Sequence, residues 1–237
     1  MISTAIILAG GLGTRLRSVV NDIPKCMAPV AGYPFLKYVM DQLLQQGITH
    51  FILSVGYKRG VIIDYLQETY PQVNIRFAIE EEPLGTGGAV KLAATLSTEK
   101  NVFVVNGDTI FEVNLNLLSD VHLHAKADCT LALKPMKNFD RYGVVEINAH
   151  NRITSFKEKK WYESGLINGG IYALNTVRFS QEDLPSKFSF EKDYLESFST
   201  TRLIYGCVSE GYFIDIGIPE DYERAQIHFS HTNAKQS

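Results

Sequence analysis

Short apolar runs alternate with segments of helical periodicity through the first half of the chain. The run at 5–8 (Ala-Ile-Ile-Leu) ends at glycines, which is typical of a strand buried on both faces. Residues 35–46 instead carry apolar side chains at helical spacing, and Gly47 follows where a C-terminal cap belongs. This pattern predicts strands at 5–8, 50–55, 75–79 and 102–105, with helices at 35–46, 61–69 and 86–96 between them.

The second half of the chain is richer in strand patterns. They lie at 128–133, 142–147, 153–157, 167–174 and 202–208, and helical signals are few before 190–198 and a last helix that Pro219 opens. No linker rich in Gly, Ser or Pro divides the halves. We therefore expect a single domain over 1–237, with parts at about 1–110 and 111–230 and a frayed tail at 231–237.

The alternation of strands and helices predicts an α/β fold class. The expected architecture is Rossmann-like, with a mostly parallel (mixed) central sheet flanked by helices and a smaller β-rich lobe that carries a second ligand. In such sheets, ligands bind beyond the carboxyl ends of the strands. Gly10–Gly11 and Asn106–Asp108 each follow a predicted strand. Both segments are therefore expected at the rim of one crevice.

Composition excludes several other classes of protein. The chain has 237 residues, a formal net charge of −3 and 45% hydrophobic residues, which argues against disorder and against a general attraction to nucleic acid or anionic membranes. The N-terminus lacks the pattern of a signal peptide, and no apolar run approaches the ~20 residues of a membrane span. Cys26, Cys129 and Cys207 are widely spaced, unlike a disulfide framework or a zinc site. The expectation is a cytoplasmic protein with no nucleic-acid or membrane partner.

A glycine-rich segment follows the first strand. It reads Leu-Ala-Gly-Gly-Leu-Gly-Thr-Arg-Leu-Arg over 8–17, and Pro24–Lys25 comes shortly after it. Glycines here let backbone N–H groups approach a phosphate chain, and Arg15 and Lys25 supply cations. The P-loop pattern is absent, because no lysine follows the last glycine. The dinucleotide fingerprint lacks its last glycine and its acidic ribose-binding residue, which argues against a nicotinamide-dependent dehydrogenase.

This segment resembles the signature G-G-x-G-T-R-L…P-K of the sugar-1-phosphate nucleotidyltransferases. Further stretches match that family in order, at 82–89, 105–108, 142–145, 156–159, 167–172 and 214–222. The resemblance covers essentially residues 3–229, and residues 140–143 and 188–193 look most like the branch that uses D-glycero-α-D-manno-heptose 1-phosphate and GTP. One departure is Cys26, where such enzymes usually have proline.

The resemblance implies a function and a set of site residues. The reaction is the joining of a nucleoside triphosphate and a sugar 1-phosphate into an NDP-sugar and pyrophosphate. The part at 1–110 would bind the nucleotide and the part at 111–230 the sugar phosphate. The implied nucleotide-binding residues are Leu8, Ala9, Gly10, Gly11, Gly13, Thr14, Arg15, Lys25, Glu80, Pro83, Gly85, Thr86 and Gly107. The implied sugar-phosphate-binding residues are Glu158, Lys159, Asn168, Gly169 and Gly143, where a side chain would collide with the sugar.

Asp108 and Asp215 are the predicted ligands of Mg²⁺. Asp108 follows the predicted strand at 102–105, Asp215 follows the apolar residues 212–214 in what we interpret as another strand end, and the two match the metal pair of the family. Magnesium in proteins is usually held by one or two carboxylates together with waters and substrate phosphates. Together with Arg15 and Lys25, these aspartates form the predicted catalytic set.

Glu80 is the predicted reader of the nucleotide base. By the resemblance, base-reading residues lie near this position, where thymidylyl- and uridylyltransferases often have glutamine. A carboxylate only accepts hydrogen bonds, and guanine presents two adjacent donors where uracil presents one. Glu80 therefore favours GTP, although some similar uridylyltransferases also carry an acidic residue there, so UTP stays open.

Several alternatives and details stay open from the sequence. A mannose-, glucose- or N-acetylmuramate-1-phosphate nucleotidyltransferase that uses GTP or UTP would share nearly every motif, and a non-catalytic nucleotide-binding regulatory protein is a further alternative. The chain lacks the hexapeptide repeats that make some relatives trimers, so a monomer or homodimer is expected. His122 and His124 are predicted at the surface, and Glu191 and Asp193 suit a helix start as well as a substrate contact.

Overall fold

The structure, a computed structural model, describes residues 1–11 and 23–236, with side chains up to residue 231. The strands are β1 (Thr4–Leu8), β2 (Pro29–Val30), β3 (Tyr33–Pro34), β4 (His50–Val55), β5 (Asn74–Ile79), β6 (Asn101–Asn106), β7 (Thr109–Phe111), β8 (Cys129–Phe139), β9 (Val145–Ile147), β10 (Ile153–Phe156), β11 (Tyr162–Asn175), β12 (Ile204–Val208) and β13 (Phe213–Asp215). The helices are α1 (Phe35–Gln45), α2 (Arg59–Thr69), α3 (Gly85–Ala94), α4 (Leu115–His124), α5 (Thr176–Ser180) and α6 (Pro219–Gln236), with a 3₁₀ turn at Lys25–Met27 and a π-helix at Phe190–Glu196.

A seven-stranded sheet in the order β12-β8-β11-β6-β1-β4-β5 forms the centre of the fold. Strands β6, β1, β4 and β5 are parallel neighbours, and β12 is parallel to β8. The long strand β11 is antiparallel to both β6 and β8, and it joins the two halves of the chain in one sheet. The predicted α/β class, with a mostly parallel, mixed sheet, is confirmed.

Helices cover both faces of this sheet, and the alternation of side chains along β1 shows how. Ala5 and Ile7 pack into the core beneath α1, α2, α4 and α6, whereas Ile6 packs into the core beneath α3, α5 and the π-helix. Successive strand residues point to opposite faces, so a run of consecutive apolar residues is what a doubly covered strand requires.

Helix α4 is absent from the sequence prediction. Asn114 begins it, because its side chain accepts a hydrogen bond from the backbone N–H of Leu117 at 3.0 Å and so satisfies one free amide of the first turn. The helix changes the environment of its two histidines. His124 is exposed as expected, but the prediction of a surface position for His122 is wrong, since its side chain is buried.

The His122 ring is buried between polar partners on neighbouring elements. Its Nδ1 lies 3.1 Å from the hydroxyl of Thr130, and its Nε2 lies 3.1 Å from the Oδ1 of Asn101. The pKa of His122 is lowered to about 4, mainly because the buried charged ring loses hydration; the charge of Asp128 opposes this shift and the charge of Arg178 adds to it.

The cysteines, the C-terminal segment and the apolar character of the helices were also subjects of sequence predictions. All three cysteines are free and buried. The backbone of α6 is helical through Gln236, and the fraying of 231–237 stays a prediction. Within the described part of the chain, no helix is both long enough and apolar enough to cross a membrane.

The buried His122 predicts a stability that depends on pH. Because its pKa is lower in the folded than in the unfolded state, the unfolded chain takes up the proton first as pH falls. The stabilisation is present above about pH 6.5 and is lost towards pH 4, and between pH 7 and pH 5 the free energy of unfolding should fall by about 2 kcal/mol from this group. Urea unfolding at both pH values should show a smaller pH-dependent difference for His122→Gln. The exposed control His124→Gln should behave as wild type, and an equal pH dependence in all three proteins would contradict the assignment.

Candidate active site

The carboxyl ends of the parallel strands meet at one edge of the sheet. The N–H of Gly107 donates to the carbonyl of Leu8 at 3.0 Å, and the N–H of Ala9 donates to the carbonyl of Ser54 at 2.9 Å. A side chain at Gly107 would approach the Leu8 carbonyl oxygen to 2.8 Å, so glycine permits this contact. The segments after β1 and β6 are therefore neighbours, as expected from their strand-end positions.

Asp108 and Asp215 come together through an antiparallel strand pair. Thr109 in β7 is the register partner of Asp215 in β13, and the N–H of Ile216 donates to the carbonyl of Asp108 at 3.1 Å. The Nζ of Lys25 lies 2.5 Å from Oδ2 of Asp108 and 3.3 Å from Oδ1 of Asp215. Three segments that are distant in sequence thus converge on one ammonium group.

The electrostatics of this trio favour the charged lysine. Burial lowers the pKa of Lys25, but the charges and hydrogen bonds of Asp108 and Asp215 outweigh that effect and raise the pKa above its ordinary value. The backbone N–H of Gly217 donates to Oδ1 of Asp215 at 2.7 Å and fixes that carboxylate. The arrangement can bind a cation between the two carboxylates or offer the Lys25 charge to a phosphate.

Glu80 lies beside Gly10 at the ends of β5 and β1. Its Oε1 accepts from the hydroxyl of Ser54 at 2.9 Å, and its Oε2 accepts from the N–H of Leu84 at 3.2 Å. A Cβ at Gly10 would lie 2.4 Å from Oε1 of Glu80. Gly10 is therefore required for the position of the Glu80 carboxylate, a role that the sequence did not reveal.

A cavity of about 410 Å³ opens next to Asp215. It has the size of a small-molecule site and is formed by strand ends, the loop after β10 and the π-helix. Every residue predicted to bind the sugar phosphate lies in its wall, namely Gly143, Glu158, Lys159, Asn168 and Gly169. The structure thus brings that set together with Asp215, one of the predicted metal ligands.

Two glycines in this wall are explained by protein neighbours. A Cβ at Gly143 would lie 2.4 Å from the carbonyl oxygen of Lys157, and one at Gly169 would lie 2.3 Å from the ring of Phe111. The expected collision at position 143 was with the sugar. In the structure, the side chain would already collide with backbone, so Gly143 shapes the wall itself.

The segment after Glu80 packs against residues 186–190. Gly85 has φ +71°, and a Cβ there would lie 2.5 Å from the carbonyl oxygen of Phe188. The hydroxyl of Thr86 donates to Oε2 of Glu191 at 2.6 Å and accepts from the N–H of Phe190 at 2.9 Å. Pro83 is exposed beside this contact. Thr86, predicted to bind nucleotide, therefore also connects α3 to the cavity wall.

Part of this cavity was not predicted from the sequence. Its wall also contains Asn106, Thr109 and Tyr172 from strands β6, β7 and β11 and Glu191, Lys192 and Glu196 from the π-helix. The segment 188–193 was noticed, but no sequence pattern shows which way a π-helix turns its side chains. Of the remaining predicted residues, Gly11 is exposed, and Gly13, Thr14 and Arg15 lie outside the described residues.

Comparison with known proteins defines the class of this chain. The sequence profile described as "Nucleotidyl transferase" matches residues 4–231. The chain is 52% identical over 227 residues to D-glycero-α-D-manno-heptose 1-phosphate guanylyltransferase of Aneurinibacillus thermoaerophilus, covering 96% of this chain and 98% of that relative. It is 47% identical over 219 residues to the protein of the same name from Campylobacter jejuni, covering 92% and 96%. The chain belongs to the nucleotidyl transferase family.

A solved structure supports the same assignment. HddC from Yersinia pseudotuberculosis, crystallised in complex with GMP-PN, is similar to this chain with a TM-score of 0.87 and 39% identity. The match covers 96% of this chain and 100% of that structure. The similarity therefore extends over both the strand-end edge and the cavity.

Proposed function

We propose that this protein joins GTP and D-glycero-α-D-manno-heptose 1-phosphate to form GDP-D-glycero-α-D-manno-heptose and pyrophosphate. The observation that carries the proposal is the contact of Lys25 with both Asp108 and Asp215, at the edge of a cavity that also contains Glu158, Lys159 and Asn168. The names of the two relatives support the choice of sugar and nucleotide. Both substrates are phosphorylated metabolites, and we place the reaction in the cytoplasm.

For this reaction, the protein must position the two phosphates and neutralise their negative charge. A phosphate oxygen of the sugar attacks the α-phosphorus of GTP in line, a P–O bond forms, and the bond to pyrophosphate breaks on the opposite side. The nucleophile is already an anion, so no general base is needed. Lys25 holds the phosphates of the nucleotide, and Lys159 holds the phosphate of the sugar. Arg15 is assigned to the departing pyrophosphate on the family resemblance.

Asp108 and Asp215 fit a magnesium ion. Their oxygens contact the same ammonium nitrogen, so a single cation can reach both carboxylates. Among the described residues, no group of three or more His, Cys, Asp and Glu side chains could hold a metal, so the protein would supply two carboxylates and the remaining ligands would be water and phosphate. When bound, the ion would neutralise phosphate charge.

Glu80 is assigned to guanine. Ser54 and Leu84 each donate one hydrogen bond to the carboxylate, and this fixes its plane. Each carboxylate oxygen can accept a second bond, so the two oxygens match the adjacent N1–H and N2 amino donors of guanine. We assign the nucleotide part of the site to the strand-end edge that holds Glu80, Leu8 and Gly107.

The direct test is a screen of pyrophosphate release. Four nucleoside triphosphates are combined with the 1-phosphates of heptose, mannose, glucose and N-acetylmuramate in the presence of Mg²⁺. The highest kcat/KM is expected for GTP with the heptose. A clear preference for another sugar or for UTP would replace that assignment within the family, and no turnover with any pair would favour a non-catalytic protein. A separate measurement of the molar mass in solution by light scattering distinguishes a monomer from a homodimer.

Asp215→Asn should lower turnover by about 10³-fold, because it removes one of the two charges that hold the cation at the reacting phosphates. The amide keeps the size of the side chain and can still accept from the Gly217 N–H, so the fold should be retained. Pyrophosphate release and circular dichroism measure the two effects. Asp120→Asn, at an exposed position on α4, is the matched control. Near-normal turnover in Asp215→Asn would refute the metal role.

Glu80→Gln should erode the preference for GTP over UTP. The amide offers one acceptor in place of two, so the kcat/KM ratio of GTP to UTP should fall by about tenfold or more. The control is Glu81→Gln, which changes an exposed neighbour whose carboxylate pairs with Arg59 at 3.1 Å. If the nucleotide ratio of Glu80→Gln equals that of the control, Glu80 is not the base reader.

A further inference from the structure

The π-helix forms a wall of the cavity that carries charged side chains. Two carboxylates and one ammonium group of this helix lie in the cavity wall, those of Glu191, Glu196 and Lys192. The helix start is held from both sides, since Ser189 Oγ accepts from the N–H of Lys192 at 3.2 Å and Asp193 Oδ2 accepts from the N–H of Ser189 at 2.7 Å. The wall is therefore a fixed structure and not a loose loop.

The π-helical backbone decides which side chains share the cavity. Hydrogen bonds in a π-helix connect residue i to residue i+5, so these two residues lie on the same face, much as residues i and i+4 do in an α-helix. In an α-helix, the same two positions would point in clearly different directions. Glu191 and Glu196 are five residues apart and both line the cavity. Single π-turns are rare, and they occur frequently at functional sites.

The two carboxylate oxygens of Glu191 differ in their hydrogen bonding. Its Oε2 accepts from the hydroxyl of Thr86 at 2.6 Å and from the hydroxyl of Ser189 at 3.0 Å. No donor among the described residues contacts Oε1. Because a carboxylate oxygen can accept two hydrogen bonds, Oε1 offers a fixed acceptor to whatever occupies the cavity.

The charge of Glu191 limits what it can bind. A carboxylate repels a phosphate and cannot donate a hydrogen bond, so the phosphate end of a sugar phosphate is excluded from its position. Sugar hydroxyls are donors and suit it. The Thr86 hydroxyl also accepts from the N–H of Phe190, which orients its proton towards Glu191.

We propose that Glu191 is a sugar-binding residue that accepts a hydrogen bond from a hydroxyl of the sugar 1-phosphate. Thr86 is a positioning residue that orients the Glu191 carboxylate. This inference rests on the proposed function of the cavity, and it adds a specificity-determining carboxylate on the π-helix to Glu158 on the loop after β10.

The test separates the KM of the sugar from the KM of GTP. In Glu191→Ala and Glu191→Gln, pyrophosphate release should show a sugar KM raised about tenfold or more, as expected for a lost hydrogen bond to a charged group, and a GTP KM within about twofold of wild type. Glu163→Gln, at an exposed position outside the cavity wall, is the matched control and should leave both values unchanged.

Thr86 provides a second pair of variants. Thr86→Val should raise the sugar KM by about threefold to tenfold, because the carboxylate loses a hydrogen bond that orients it. Thr86→Ser keeps the hydroxyl and should restore the wild-type value. A rise in the GTP KM without a change in the sugar KM would overturn the positioning role.

The outcomes distinguish this inference from the proposed function. If the wild-type protein releases no pyrophosphate with any substrate pair, the proposed function fails. If the wild type is active and both Glu191 variants keep the wild-type sugar KM, the inference fails.

Thermal stabilisation by heptose 1-phosphate alone provides a readout without catalysis, and it should weaken in Glu191→Gln. With mannose 1-phosphate as a second substrate, an equal loss places the contact on the ring, and a loss confined to heptose places it on the exocyclic chain.

Discussion

A single ammonium group between two carboxylates is the contact on which the site depends. Asp108 and Asp215 would repel each other if no cation lay between them, and Lys25 contacts both. The lysine comes from a 3₁₀ turn near the N-terminus, Asp108 precedes β7, and Asp215 is the last residue of β13. Each of these segments must be placed correctly for the trio to form. The small β7–β13 sheet therefore has two roles, since it buries Ile110, Phe111 and Ile214 in the core and places both aspartates.

Close contacts of two glycines with neighbouring protein groups shape the rest of the site. Gly10 admits the Glu80 carboxylate, and Gly143 admits the carbonyl of Lys157. From sequence, both glycines suggest room for a ligand. In the structure, the protein itself takes that space, with a side-chain carboxylate at Gly10 and a backbone carbonyl at Gly143. A glycine in a binding motif can thus be required by a neighbouring protein group and not by direct contact with the ligand.

The predictable and unpredictable parts of the structure differ in physical origin. Strands such as His50–Val55 were predicted correctly because burial on both faces requires a continuous apolar run. Helix α4 was not predicted, although Asn114 is a good N-cap. The burial of His122 on this helix was therefore not predicted either, since its ring contacts Thr130 and Asn101, which come from strands distant in sequence. Among the site residues, strand-end positions predicted the convergence of Asp108 and Asp215. The orientation of Glu191 depends on a π-helix and on a contact with Thr86, which is distant in sequence.

The start of α3 connects the two regions that we assign to the nucleotide and to the sugar phosphate. The N–H of Leu84 donates to Glu80, and the hydroxyl of Thr86 donates to Glu191. Two carboxylates assigned to different substrates are therefore oriented by groups two residues apart. In-line transfer requires the nucleotide and the sugar phosphate to be held at a fixed relative angle, because small displacements of reacting groups reduce the rate strongly. A short, rigid segment that orients both carboxylates satisfies this requirement more directly than two independently supported walls would.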